Sequence, residues 1–279
     1  MTSANAMAAG LDGSYALITG GTQGLGEATA RLFAARGAAG LIISGRNAQR
    51  GHAVARSIAA EHGCAVHFVQ SDLADLDQCG TLIEAADHHF GTLTNLVNCA
   101  ALTDRGTIID TDPALFDRMM AVNLRAPFFL MQGAARLMLK TGTKGAMVNI
   151  LSMSSHGGQP FITAYCASKG GLATLTRNVG FSLARNGIRV NGLNIGWMDT
   201  PGEDHIQRTY HGAEDGWKEH AERDRPAGRL LKPDEVARAI AFLSSPESGL
   251  MTGSIVDFDQ SVLGCYEAPP EPDRRSWPL

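Results

Sequence analysis

At 279 residues, with 44% hydrophobic and 19% charged residues and a formal charge of −4, the chain can bury a sizeable core and has the make-up of a globular protein. The acidic balance and the lack of a basic block argue against a nucleic-acid binder, and no apolar run approaches the roughly 20 residues of a membrane span. Five scattered cysteines without a C-x-x-C pair suggest neither a disulfide framework nor a zinc site, so a reducing cytoplasm and no metal are expected.

Residues 1–12 lack the basic end and apolar centre of a signal peptide and read as a loose tail. Tyr15 to Thr19 is a short apolar run that ends in Gly20-Gly21-Thr22-Gln23-Gly24-Leu25-Gly26. From Leu25 the apolar spacing turns helical, through Ala28, Leu32 and Phe33, and Gly37 closes the helix. A strand, a glycine turn and a helix in this order bring backbone N–H groups and a helix N-terminus to a phosphate. An ordinary strand-to-helix turn is the competing reading.

Gly40 to Ser44 is a second apolar strand, ending in Ser44-Gly45-Arg46-Asn47. No acidic residue stands there to bond the ribose of NAD, and the Arg46 guanidinium suits a 2′-phosphate, so NADP(H) is favoured over NAD(H). A surface arginine in a loop is the alternative. A helix over Ala48 to His62, a strand over Ala65 to Gln70, a helix over Asp75 to Phe90 and a strand over Asn95 to Asn98 follow. His88 and His89 lie on the second of these helices and read as a solvated face. Asp72, before Leu73, stands where a carboxylate accepts from an adenine amino group, and the small residues Cys99, Ala100 and Ala101 let a cofactor lie against the strand end. Alternation of this kind implies right-handed crossovers and a parallel sheet covered on both faces.

Pro113 opens a helical stretch to about Lys140 that contains Asn123 and Pro127. Proline has no N–H for the Asn123 carbonyl, so a kink and a carbonyl free for water are expected. Gly145 to Leu151 is a fifth strand that delivers Ser152 at the ligand-binding edge of the sheet. If a helix begins near Thr163 and runs to about Arg185, Tyr165 and Lys169 stand one turn apart on one face. An ammonium beside a phenol favours the phenolate, which makes a usable acid or base. Gly187 to Asn194 is a sixth strand, a Gly-, Pro- and charge-rich loop runs from Gly196 to Gly228, Pro233 to Leu243 is a helix and Ser254 to Phe258 a last strand.

Together these residues resemble the short-chain dehydrogenase/reductase family over roughly residues 12 to 262. Thr19, Gly20, Gly24 and Gly26 match its T-G-x-x-x-G-x-G turn, and Asn98-Cys99-Ala100-Ala101 is similar to its N-N-A-G segment with two departures. Asn123, Ser152, Tyr165 and Lys169 match its catalytic tetrad. Gly196 and Thr200 match its P-G-x-x-x-T contact with Ile195 in place of proline, and Phe258-Asp259-Gln260-Ser261 stands where V-D-G-G is usual.

The resemblance implies one Rossmann-type α/β domain over residues 13–264, with a seven-stranded parallel sheet and a nicotinamide cofactor. It implies that Tyr165 is the acid/base of an alcohol/carbonyl pair and that Ser152 holds the substrate oxygen. By the same resemblance Lys169 lowers the tyrosine pKa and binds ribose, and Asn123 holds a relay water. Gly196, Met198 and Thr200 join the cofactor contacts, and residues 196–228 are its substrate lid.

Trp197 in the lid and His156 after Ser152 are candidate substrate contacts, and the polar lid favours a small polar alcohol such as a sugar or polyol. A ketoreductase for acyl groups on a carrier protein is the alternative enzyme, and a non-catalytic NAD(P)H sensor the alternative of another class. A homo-oligomer, tetramer or dimer, is compatible with the small apolar residues Ala134, Ala135, Leu172 and Ala173. The extension 265–279, with four prolines and no period, reads as extended and flexible, and its apolar Trp277 and Leu279 allow the sharper hypothesis that it packs on a neighbouring subunit.

Overall fold

The computed structural model describes residues 10–265; the expected packing of the C-terminal extension lies outside the described residues, apart from Cys265. Seven strands form one sheet: β1 (Tyr15–Ile18), β2 (Gly40–Gly45), β3 (Ala65–Gln70), β4 (Asn95–Asn98), β5 (Ala146–Ser152), β6 (Arg189–Ile195) and β7 (Ile255–Phe258). All pair in parallel, in the order β3-β2-β1-β4-β5-β6-β7. The direction of winding reverses between β1 and β4, which opens a crevice above their C-terminal ends.

The apolar strands reflect this double cover. Along β1 and β2, Ile18, Leu41 and Ile43 enter a core with Phe33, Val236 and Ile240 on one face of the sheet. Leu17 and Ile42 enter a second core with Leu82, Leu130 and Met138 on the other. The first is covered by α1 (Gly24–Ala35), α2 (Ala48–His62) and α9 (Pro233–Ser244), and the second by α3 (Leu76–Phe90), α5 (Ala126–Thr141) and α6 (Thr163–Leu183).

Three features depart from the sequence expectations. The long central helix is divided into α4 (Pro113–Met120) and α5 by a π-turn over Ala121–Arg125, where the Ala126 N–H bonds to the Ala121 carbonyl five residues back. One extra residue in the turn, rather than a simple kink, accommodates Pro127.

The lid is largely helical, as α7 (Pro201–His211) and α8 (Trp217–Arg223). Thr200 caps α7 by accepting from the Glu203 N–H, Pro201 takes its first position and Gly212 ends it in the left-handed conformation. Finally, Ala134, Ala135, Leu172 and Ala173 are buried inside the chain and so offer no surface to a second copy. The exposed apolar groove on these helices is lined instead by Met120, Leu124, Phe128, Phe129, Gly171 and Leu175.

Candidate active site

The crevice is a cleft of about 1240 Å³. At one end the walls are main chain. Thr19 accepts from the Cys99 and Ala100 N–H groups at 3.0 and 3.2 Å, which ties the glycine turn to the end of β4. Gly20 and Gly24 have φ of 67° and 55°, and a Cβ on Gly20 would sit 3.0 Å from the Ala100 Cα. A Cβ on Gly26 would strike the Gly20 carbonyl. The α1 N-terminus carries no side-chain cap and opens on the cleft beside Thr22, Gln23 and Leu25, so its N–H groups are available to an anion.

Ser44 and Ser71 also line this end, and their buried hydroxyls have no partner. Orphaned hydroxyls, a cradle that any side chain would fill and an uncapped helix end fit a dinucleotide. Beyond them lie exposed Arg46 and Arg50, together with Asn47, whose side chain caps α2 by accepting from the Arg50 N–H at 2.9 Å. Asp72 lines the cleft beside Leu73, and the Ala74 N–H and Arg118 guanidinium, each at 3.0 Å, hold its carboxyl below the usual range.

Further along the floor, Ser152 closes β5 and its hydroxyl accepts from the Ser154 N–H at 3.1 Å, shaping a 3₁₀ turn over Met153–His156. Helix α6 brings Tyr165 and Lys169 to the same floor one turn apart. Lys169 is buried, donates to the Ile150 carbonyl at 2.7 Å and lies 5.6 Å from the centre of the Tyr165 ring. Burial pushes the tyrosine up to about 12, against the Ser152 hydroxyl hydrogen-bonded to it, and pushes the lysine down to about 8. In the protein alone, burial is the dominant influence on the phenol.

At the other end the walls are side chains. The Trp197 indole N–H donates to Glu203 at 2.8 Å and Gln207 donates to the same oxygen at 2.7 Å. Gln159, Phe161, Arg105, His211 and Arg225 complete the lining. The outer surface of the lid is stapled by Asp204, which accepts from the Trp217 indole at 2.8 Å and from Arg208 at 3.0 Å.

The family profile described as "Enoyl-(Acyl carrier protein) reductase" matches residues 20–261. The chain belongs to the short-chain dehydrogenase/reductase family. It is 30% identical to galactitol 2-dehydrogenase of Agrobacterium fabrum over 253 residues, covering 89% of this chain and 97% of that one. Sorbitol dehydrogenase of Cereibacter sphaeroides is 31% identical with the same coverage. Cis-4-hydroxycyclohexanecarboxylate dehydrogenase of Sinomonas cyclohexanicum is 34% identical over 88% of this chain and 94% of its own. Among solved structures, a short-chain dehydrogenase/reductase family protein superposes with a TM-score of 0.77 at 36% identity, over 90% of this chain and 97% of that one. A short-chain type dehydrogenase/reductase from Mycobacterium marinum reaches a TM-score of 0.81 at 27% identity, over 90% and 95%. The protein is thus an oxidoreductase of the CH–OH group with a small-molecule substrate, in a family that uses NAD(P).

Most family positions singled out in the sequence meet in the cleft: the glycine turn, Ser44, Arg46, Asn47, Asp72, Leu73, Cys99, Ala100, Ser152, Tyr165, Lys169, Gly196, Trp197, Met198 and Thr200. Three do not line it. Asn98 is buried and donates to Asn149 at 2.8 Å, joining β4 to β5. Asn123 is buried in the π-turn, where its side chain accepts from the Leu102 N–H at 2.8 Å and donates to the Leu102 carbonyl at 2.9 Å. His156 turns away to Asp257 and Asn194, at 3.2 and 2.9 Å, because the 3₁₀ turn carries it past the strand ends.

The family departure at residues 258–261 also has a physical place. A Cβ on Gly196 would collide with the Asp259 carboxylate, so the retained glycine and aspartate fit one another. Sequence reasoning missed Arg105, His211, Phe161 and Arg225 as lining residues. They come from separate segments outside any motif, and only the folded chain brings them together.

Proposed function

We propose that this enzyme interconverts a small polar secondary alcohol and its carbonyl, with NADP(H) preferred to NAD(H) and Tyr165 as the acid/base. The observation that carries the reading is that the Ser152–Tyr165–Lys169 group and the uncapped glycine turn share one cleft. A nicotinamide held at this cleft would supply or take up the hydride. Ser152, beside Tyr165 on the floor of the cleft, holds the substrate oxygen where the phenol reaches it. In reduction the neutral phenol donates its proton to that oxygen, and in oxidation the phenol site must first lose one. Lys169, at about 8, takes up or releases the compensating proton, and the backbone opened by the π-turn at Asn123 offers a path for a relay water.

At the far end of the cofactor, Arg46 and Arg50 suit a 2′-phosphate, Asp72 an adenine amino group, and Gly196, Met198 and Thr200 the nicotinamide half. Glu203, Gln207, Gln159 and Trp197 are hydroxyl-binding groups, and two relatives are named for the polyols galactitol and sorbitol. In this reading residues 13–264 are the catalytic domain, the enzyme is cytoplasmic, and copies assemble through the groove of Phe128 and Phe129.

A panel of polyols, sugars, hydroxy acids and cyclic alcohols, followed by cofactor absorbance with both cofactors, tests the reading. Turnover of a secondary alcohol is expected, and Tyr165→Phe should lower kcat by a factor of about 10² to 10⁴ while the cofactor still binds. Retained turnover in that variant would refute the assignment.

A further inference from the structure

The substrate end holds two arginines that hydride and proton transfer do not use. Arg105 and Arg225 both line the cleft, both are half-buried, and neither pairs with a carboxylate among the described residues. Arg118, at the adenine end, is by contrast neutralised by Asp72 at 3.0 Å, and the unpaired Arg46 and Arg50 are there taken up by the cofactor reading. A guanidinium stays charged at any physiological pH, so its partial burial without a counter-ion is costly. The cost is visible at Arg225, whose Nε is buried with no hydrogen-bond partner.

Both side chains are held ready. Arg225 lies over the Trp197 ring, 5.3 Å from its centre, and Arg105 over Phe161 at 5.4 Å. An aromatic face fixes the plane of a guanidinium and leaves its N–H edge free for a planar anion. Arg105 is oriented further by donating from Nη1 to the Thr103 carbonyl at 2.8 Å and from Nε to His211 at 3.0 Å.

Its segment is pinned to the start of α6 by the Gly106 N–H to the Phe161 carbonyl at 2.8 Å and the Thr163 N–H to the Gly106 carbonyl at 3.2 Å. The position of Arg105 relative to Tyr165 is therefore fixed, and its charge favours ionisation of the phenol while the nearby Glu203 opposes it more strongly. Two carboxylates, Glu203 and Asp259, line the same end. Glu203 has one oxygen engaged by Trp197 and Gln207, and Asp259 is bonded to Ser261.

We propose that Arg105 and Arg225 form an anion subsite, and that the substrate is a secondary alcohol that also carries a carboxylate. The proposal rests on the dehydrogenase reading and names its substrate class: hydroxy acids, with the hydroxyl at Ser152 and Tyr165 and the carboxylate at the two arginines. Gln159, Gln207 and Glu203 remain for further hydroxyls on the same molecule.

The test is equilibrium binding to the full-length enzyme with NADP⁺ bound, read by calorimetry and by the fluorescence of Trp197 beneath Arg225. The probes are cyclohexanecarboxylate, cyclohexanecarboxamide and cyclohexyl phosphate. The carboxylate should bind about tenfold or more tightly than the amide, the scale of a hydrogen bond to a charged group. This preference should fall at high ionic strength, because the attraction is between charges. Arg105→Gln and Arg225→Gln should each erode it, and Arg105→Lys and Arg225→Lys should retain part, with NADP⁺ affinity reporting that each variant is folded.

Equal binding of acid and amide, no binding of the acid, or a preference that survives the double glutamine variant would overturn the subsite. Tighter binding of the phosphate ester would overturn the carboxylate in favour of phosphorylated alcohols. None of the probes carries a hydroxyl, so these outcomes are independent of turnover. Oxidation of 3-hydroxycyclohexanecarboxamide as fast as of the acid would sink the subsite and leave the dehydrogenase standing, whereas a wild-type enzyme that turned over no secondary alcohol with either cofactor would sink the dehydrogenase reading alone.

Discussion

The cofactor end of the cleft is built from main chain and the substrate end from long side chains. At the first, Gly20 and Gly24 hold positive φ, a Cβ on Gly20 would crowd Ala100, and one on Gly26 would collide with the Gly20 carbonyl. At the second, Trp197, Glu203, Gln207, Arg105 and Arg225 reach in from several segments, and α7 and α8 bury few residues, with Ile206 and Ala221 the buried ones. A main-chain site needs one fixed geometry and can be written as a motif. A side-chain site is held by pairwise hydrogen bonds and can be rewritten one residue at a time. The division explains how a shared reaction and a chain-specific substrate coexist in one cleft.

The pH dependence is the largest effect that could break this division. Tyr165 at about 12 is protonated at neutral pH, and Lys169 at about 8 loses its proton first as pH rises. Alcohol oxidation should therefore climb about tenfold per pH unit below 8 and level above it. Carbonyl reduction should be flat below 8 and decline above. Profiles of kcat/KM should show the same inflection for every substrate, since both groups belong to the floor of the cleft. An inflection that shifted from substrate to substrate would draw the lid into the proton path.

Cofactor choice sharpens the comparison from the other side. Arg46→Ala should weaken NADPH binding by roughly tenfold or more, the worth of a charge-assisted hydrogen bond, and leave NADH nearly unchanged. Fluorescence titration with both cofactors measures it, and equal losses would remove Arg46 from the site.

The smallest effect belongs to the lid. Asp204→Ala deletes the acceptor shared by Trp217 and Arg208 and should loosen α7 against α8 slightly. Hydrogen exchange should rise over residues 201–223 and not over 24–35. A rise in both would mean that the two ends unfold as one unit.

The same contrast governs what could be read without a structure. The strands of the body lie within a residue or two of the apolar runs, because a strand buried on both faces must be apolar throughout, as Leu41, Ile42 and Ile43 are. Ser152, Tyr165 and Lys169 were legible because their spacing is local to one strand end and one helix. The helices of the lid were not, since their sequence is dominated by charge and only the Thr200 cap, Pro201 and Gly212 mark one of them. His156 lies close to Ser152 in sequence but leaves the cleft within one tight turn, which no periodicity foretells. The helix break at Pro127 was legible, but its form as a π-turn was not, because it depends on Asn123 gripping the backbone of Leu102. The balance between Tyr165 and Lys169 also escaped the sequence, since burial decides it.

The lid leaves the sheet and returns to it at one point, where the Asp199 N–H bonds to the Leu231 carbonyl at 2.9 Å and the Leu231 N–H to that of Trp197 at 3.0 Å. An excursion whose two ends meet can change in length and sequence with little effect on the elements it leaves, because closing it costs only a slowly growing entropy. The segment from Pro201 to Leu230, which leaves the cofactor contacts Met198 and Thr200 in place, is thus an exchangeable cassette. Through it an ancestral reductase can acquire a new substrate without relearning how to hold its cofactor, and through it an engineer could transplant specificity from one relative to another.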